Sequence, residues 1–168
     1  TILEAVGLEL APGMTGVSFL GELQGESYDG RGHVFAERGW HSGRVNRSDG
    51  FDLSRSITTR RYLYVYNATP EKPFSPVDMA NNLAWNAMQM LHEQGKLSAL
   101  HERLYFQNPR PLFELYDLEN DPFQLENLAG QQAVEAIETK LRTELDKWMV
   151  RESDYLPLPG HAHRDLRR

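Results

Sequence analysis

The sequence contains no cysteine. Without a thiol the chain has no disulfide framework, no thiolate metal ligand, no cysteine nucleophile and no cofactor made from a cysteine of its own. It also lacks any run approaching the roughly 18 apolar residues of a membrane-spanning helix, so no membrane partner is expected. Eighteen basic against 24 acidic side chains give a formal charge of −6, and no block of like charge concentrates either sign. That excludes the basic stripe of a nucleic-acid footprint. Thr1 to Val6 shows neither an initiator Met nor the basic region and small-residue cleavage site of a signal peptide. The chain therefore reads as a piece of a longer protein, with any targeting signal upstream. Repeats and low-complexity segments are absent too.

What is present fits one soluble core. The 168 residues are 40% apolar and 25% charged, ordinary values for a globular protein. Thr1 to Leu8 reads as the last turns of an amphipathic helix stopping near Gly7, and Gly21 to Gly32 as exposed chain. His33 to Glu37 reads as a short strand, followed by a polar loop over Ser42 to Asp52, a length that invites function. Ser56 to Thr59 and Tyr62 to Tyr66 read as a hairpin turning at Arg60 and Arg61. The second strand alternates, with Tyr62, Tyr64 and Tyr66 on one face and Leu63 and Val65 on the other. A tyrosine ladder can stack sugars, but rings packed under a helix with hydroxyls at the rim are the expected arrangement.

Ser75 and Pro76 make a capped helix start. Val77, Ala80, Leu83, Ala84, Ala87, Met88 and Leu91 then follow helical spacing up to a stop at Gly95. Leu112 to Tyr116 reads as a third strand, and Asp117 to Pro122 as a turn. From about Gln132 a long helix places Val134, Ile137, Leu141, Leu145 and Trp148 on one face, with Glu138 paired to Arg142 on the other. Strands bracket helices without regular alternation, so the fold class is α+β: an antiparallel sheet of about four strands covered by the long C-terminal helix.

Most catalytic templates fail on spacing. Gly16-Val17-Ser18-Phe19-Leu20 lacks the final glycine of a nucleophile elbow. Asp117, Glu119 and Asp121 begin like a calcium loop, but Pro122 stands where the sharp turn needs glycine and Leu128 where a bidentate Glu is required. These acids suit turn chemistry instead. His92-Glu93 and His101-Glu102 lack the second histidine of a zinc site, and no glycine pattern cradles phosphate. The segment Glu37-Arg38-Gly39-Trp40-His41 remains. An acid and an imidazole can bond sugar hydroxyls while the indole stacks on the ring. A satisfied surface histidine beside a strand-end salt bridge fits the same residues equally well.

One stretch is highly patterned. Glu114-Leu115-Tyr116-Asp117-Leu118-Glu119-Asn120-Asp121-Pro122-Phe123-Gln124-Leu125-Glu126-Asn127-Leu128-Ala129 resembles the E-L-Y-D-L-x-x-D-P-x-E-x-x-N-L-A signature near the C-terminus of sulfatases. Thr1-Ile2-Leu3 with Gly16 to Phe19 is similar to the end of the sulfatase large domain. Val34 to Glu37 with His41 resembles the first strand of the small domain, and Arg55 to Val65 resembles its R-S-I-R-T-x-x-Y-K-Y-I hairpin. Leu63 stands where that hairpin has Lys, and Gln124 where the signature has Glu. The resemblance runs from Thr1 to about Asp154. Glu37 to His41, Phe74-Ser75-Pro76 and Arg110-Pro111 look most like heparan N-sulfatase (sulfamidase) and its bacterial relatives.

The resemblance implies that residues 1–30 end a large catalytic α/β domain, 31–154 form the small C-terminal domain, and 155–168 are an extended tail. It implies calcium and a formylglycine in the missing N-terminal domain. No C/S-x-P-x-R motif occurs in these residues, so no cofactor is expected to bind here and no catalytic residue is expected. Expected partners are that N-terminal domain and a sulfated carbohydrate, contacted by Glu37, Trp40 and His41. The resemblance also points to a periplasmic or secreted setting. Two alternatives stay open: the C-terminal part of a related phosphodiesterase or phosphonate monoester hydrolase, or a stand-alone glycan-binding module. Burying the five apolar residues of the terminal helix contributes about 7 to 15 kcal/mol before entropy. Trp148→Ala is accordingly expected to lower the melting temperature by several degrees, read by thermal denaturation; an unchanged melt would contradict docking of this helix.

Overall fold

The computed structural model describes residues 1–27, 30–40, 51–74, 76 and 82–158, with only the backbone of Trp40 and Phe51. It divides into two compact units, Thr1–Val34 and Phe35–Arg168. The first holds two short helical turns, α1 (Ile2–Ala5) and α2 (Leu20–Leu23). Its chain is held by the Thr1 hydroxyl accepting from the Phe19 amide at 2.9 Å and by the Arg31 guanidinium donating to the Thr15 carbonyl. Gly7, at φ 73°, takes the left-handed conformation that ends α1. Neither turn contains a buried residue.

The second unit is a four-stranded antiparallel sheet in the order β1 (His33–Trp40), β2 (Phe51–Thr59), β3 (Tyr62–Asn67), β4 (Phe113–Asp117). The hairpin turns where the sequence predicts. Thr58 faces Leu63, Ile57 faces Tyr64, and the Thr59 hydroxyl accepts from the Tyr62 amide at 2.8 Å. Strand β2 is longer than expected, so Phe51 and Asp52 belong to it rather than to the preceding loop; Ser42 to Gly50 lie outside the described residues.

Alternation sends Leu53, Ile57, Tyr64, Tyr66 and Leu115 to one face, all buried. The tyrosines are therefore core rings rather than a sugar-stacking ladder. Tyr64 departs from the expected rim geometry. Its hydroxyl is buried with no hydrogen-bond partner among the described residues, and burial pushes its pKa up.

The cover is α5 (Glu135–Arg151), preceded by a 3-10 turn at Gln132–Val134. Its buried stripe is Glu138, Leu141, Leu145 and Met149, flanked by half-buried Val134, Ile137 and Trp148. The stripe is rotated by about one residue from the predicted face. Glu138 is one step from Ile137 and three from Leu141, hence on the inner side. Instead of a solvated pair with Arg142, its carboxylate accepts from the Gly130 amide at 2.8 Å. Arg142 lies over the Phe113 ring at 5.8 Å. Leu156 is buried and Leu158 half-buried against the same cluster, so the core continues beyond the helix.

The helix expected from Ser75 begins later. Helix α3 spans Leu83–Glu93, capped by Asn82, whose side chain accepts from the Ala84 amide at 2.8 Å. Ser75 and 77–81 lie outside the described residues. The helix stops at Gly95 (φ 64°) as expected. Trp85 is buried, stacked on Phe106 at 5.4 Å, which supports packing rather than a binding role. One turn, α4 (Ala99–His101), then runs into a π-helical turn at Glu102–Phe106.

The patterned stretch after β4 closes the sheet edge. Asn127 Oδ1 accepts from the Leu115 and Ala129 amides, both at 2.9 Å, while its Nδ2 donates to the Phe113 carbonyl at 3.1 Å. The Leu128 amide adds a bond to the Leu115 carbonyl at 2.8 Å. Unpaired donors and acceptors of an edge strand are thus satisfied by its own following loop. Asp117 caps the turn, accepting from Asn120 Nδ2 at 2.9 Å and from Arg61 at 2.8 Å. The Arg61 bond holds its carboxyl well below the usual carboxylate range. Asp121 accepts from the Glu126 amide at 2.8 Å. Each buried amide left unpaired costs about 1–3 kcal/mol. Asn127→Ala is therefore expected to lower the urea midpoint with an unchanged slope, and Asn127→Asp, which keeps the acceptor, to fall between; a wild-type midpoint for the alanine variant would contradict this role.

Candidate substrate-contact site

Strand β1 sets the geometry around Glu37. Phe35, two residues earlier on the same face, stacks on Trp148 of α5 with ring centroids 5.0 Å apart and planes 6° off parallel. That contact anchors the strand. Glu37 itself stays outside, with 68% of its side chain exposed, and its Oε2 lies 3.7 Å from Arg55 Nη2.

Arg55 is the unexpected centre of this end of the sheet. Alternation along β2 puts it in the row of Leu53 and Ile57, and it is 2% exposed. A guanidinium there needs partners for nearly all its donors. Nε donates to Asp154 Oδ2 at 2.5 Å and Nη2 to Asp154 Oδ1 at 3.2 Å. Nη1 donates to the carbonyls of Arg38 at 3.0 Å and Ser54 at 2.8 Å. Tyr155, three-quarters exposed, places its ring 5.8 Å from the guanidinium carbon. An exposed carboxylate and an exposed ring thus share one buried cation.

A second ion-pair knot stands beside it. Asp52, buried, accepts from both terminal nitrogens of Arg110 at 2.5 and 3.1 Å and pairs with Arg38 at 3.2 Å. The salt bridge foreseen at the end of β1 is therefore real, and Glu37 is one of its acids. Trp40 is the last residue of β1; its side chain and all of His41 lie outside the described residues. Arg55, Asp154 and Tyr155 were not singled out from sequence. The available signal was Arg55 in a strand row otherwise apolar, which demands a buried acid elsewhere.

These groups can bind a polyhydroxylated ligand, through a carboxylate acceptor and an aromatic face, but they do not form a nucleophile and base. Among the described residues no group of three His, Asp or Glu side chains can hold a metal. Asp52, Asp117 and Asp154 are each committed to arginine. His92 contacts Glu102 at 2.8 Å and stacks on Phe106, and His101 contacts the Ser98 hydroxyl at 2.8 Å. Both histidines serve the packing of 92–106.

No family model matches the chain. Two proteins of Formosa agariphila, each named an ulvan-active sulfatase, are 28% identical over 162 residues and 30% identical over 158, covering 95% and 93% of this chain. The chain spans 25% and 28% of their lengths, about a quarter. A solved 2-O GAG sulfatase matches 92% of this chain and 24% of its own, with a TM-score of 0.57 at 19% identity. A protein solved in complex with its substrate D-glucosamine-2-N,6-O-disulfate matches 95% of this chain and 24% of its own, with a TM-score of 0.56 at 14% identity.

The Arg55–Asp154 pair carries a pH signature. Burial opposes ionisation of Asp154, but hydrogen bonds from Arg55 and the Leu156 amide outweigh it, so its pKa falls below the ordinary 3.8. A depressed folded pKa contributes stability above the unfolded value and loses it as pH falls through the folded one. Stability should therefore decline from about pH 4 downward, and Asp154→Asn should cost about 3–5 kcal/mol at pH 7 with a shallower acid decline. Denaturant titrations at pH 7, 4 and 3 check this; parallel curves for both proteins would contradict it. In sequence the chain is similar to two ulvan-active sulfatases over nearly its whole length, and its four-stranded sheet with a terminal helix is similar in fold to the matched quarter of a solved sulfatase.

Proposed function

We propose that this chain is the C-terminal part of a sulfatase that hydrolyses sulfate esters or sulfamates on a sulfated sugar, supplying scaffold and substrate-binding residues but not the nucleophile. The observation that carries this reading is the similarity to ulvan-active sulfatases along 95% of the chain, against only a quarter of their length. The first unit adds support. Ile2, Val6, Leu8, Leu10 and Leu23 are each at least 60% exposed, and no described residue of Thr1–Val34 is buried. That many exposed large apolar side chains in one short segment suits the end of a larger domain at residues 1–30.

The division of labour follows from chemistry. Attack on sulfur in this family uses a formylglycine, with calcium stabilising the developing charge. The residues described here do not fit either group: there is no cysteine, no C/S-x-P-x-R, and each buried aspartate is tied to an arginine. What this segment offers is recognition. Glu37 accepts from sugar hydroxyls beside Arg55, and Trp40 and His41, close behind it in sequence, are the further contacts of this reading. A glucosamine of heparan type, read as in sulfamidase, is the substrate we favour. The fold neighbour solved with a sulfated glucosamine supports that choice.

The test separates recognition from reaction. In the intact protein, Glu37→Gln and His41→Ala are each expected to lower kcat/KM on a sulfated disaccharide about tenfold, with 4-nitrophenyl sulfate turnover and melting temperature unchanged. Equal losses on both substrates would move these residues to the reacting centre, and no loss on either would remove them from the site. The 168-residue segment alone is expected to release no sulfate.

A further inference from the structure

A cavity of about 300 Å³ opens on the face of β4 opposite the core. Glu114 and Tyr116 of β4 line it, together with side chains from the segments 103–111 and 125–131. Of these residues only Arg110 also takes part in the ion pairs beside Glu37.

Glu114 is pinned. Glu114 Oε1 accepts from Asn67 Nδ2 at 2.5 Å, and Oε2 accepts from the Tyr116 hydroxyl. The carboxylate is thus oriented by two neutral donors, one on each oxygen. The arginines of the lining are pinned as well. Arg103 donates to the Leu125 carbonyl at 2.9 Å, and Arg110 is clamped by Asp52. Asn127 is spent on the backbone of β4.

Gln107 and Gln131 in the lining are exposed residues, each offering a donor and an acceptor from one planar amide. Phe74, half-buried against Tyr105 and Trp85, adds an apolar ring to the lining. Amides with paired donor and acceptor, a fixed carboxylate and one aromatic face suit vicinal hydroxyls and the C–H face of a pyranose. The volume stands at the low end of the roughly 300–1,000 Å³ of small-molecule clefts, which fits one ring rather than an oligomer.

The charge selects among sugars. Arg103 and Arg110 in the lining stand against Glu114 and Glu126, and Asp52 is shared between Arg110 and Arg38. Two cations against two lining carboxylates leave the cavity without the net positive charge that would hold a sulfate group. We propose that this cavity is a second carbohydrate subsite, which seats one unsulfated sugar ring of the glycan whose sulfated unit is read near Glu37. The Arg110–Asp52–Arg38 ion pairs run from the cavity lining to β1, the strand that carries Glu37. The subsite rests on the sulfatase reading for its biological ligand, but its ring-binding chemistry stands on the cavity alone.

The experiment is saturation-transfer NMR on the intact protein, with methyl glucoside, methyl galactoside and methyl rhamnoside as neutral probes and methyl glucoside 6-sulfate as the charged one. At least one neutral glycoside should bind, weaken about tenfold in the Gln107→Ala/Gln131→Ala double variant, and remain unaffected by Glu37→Gln. Both glutamines are exposed, so the variant keeps its core, checked by an unchanged melt. Absence of binding by all three neutral probes, binding indifferent to the double variant, or displacement from the cavity by the 6-sulfate would each overturn the subsite. Loss of the sulfatase reading is a separate result: no sulfate release, with neutral-sugar binding intact.

Discussion

The contact between Arg55 and Asp154 joins three parts of the chain that are far apart in sequence. Its donors reach the carboxylate that follows α5, the carbonyl of Arg38 in β1 and the carbonyl of Ser54 in its own strand. A buried ion pair of this kind does not outperform hydrophobic packing in net stability, since desolvation offsets most of the attraction. Its effect is positional. With the guanidinium fixed in an otherwise apolar row, Glu37 and Tyr155 are held beside it and the chain after the terminal helix returns to the sheet.

Around that point the structure separates holding from reading. Leu141, Leu145 and Met149 of α5 bury against Ile57, Tyr64, Tyr66 and Leu115, each side chain contributing about 1.5–3 kcal/mol. The stretch that resembles sulfatases most closely serves holding in most of its residues. Asn127 pairs the open edge of β4, Asp117 and Asp121 cap the turn, and Glu138 receives the Gly130 amide. The residues with spare chemistry lie at the exposed end of β1 and around the cavity lined by Glu114 and Tyr116.

Much of this was legible in the residues because the relevant signals are local. Strict alternation at Tyr62 to Tyr66, the turn at Arg60 and Arg61, and the glycine stop at Gly95 all act within a few positions. Failures arose where tertiary partners decide. Glu138 suggests a solvated helix pair until Gly130 is seen above it, and Ser75-Pro76 suggests a helix start although Asn82 caps α3. Arg55 could be placed on the core face by counting, but its acid lies 99 residues away and no spacing rule connects them. At the candidate site Glu37 sits in a strand-end ion pair as the sequence allowed, while Tyr155, contributed from beyond α5, stands against the same Arg55 without a local sign in the sequence.

The central claim is that these residues serve the hydrolysis of sulfate on a glycan. Incubating the intact protein with ulvan and with heparan sulfate, and measuring inorganic sulfate by ion chromatography beside turnover of bis(4-nitrophenyl) phosphate, tests it most directly. Sulfate release from at least one polysaccharide, with much slower phosphodiester cleavage, is the predicted result. Phosphodiester cleavage without sulfate release from either polymer would contradict it.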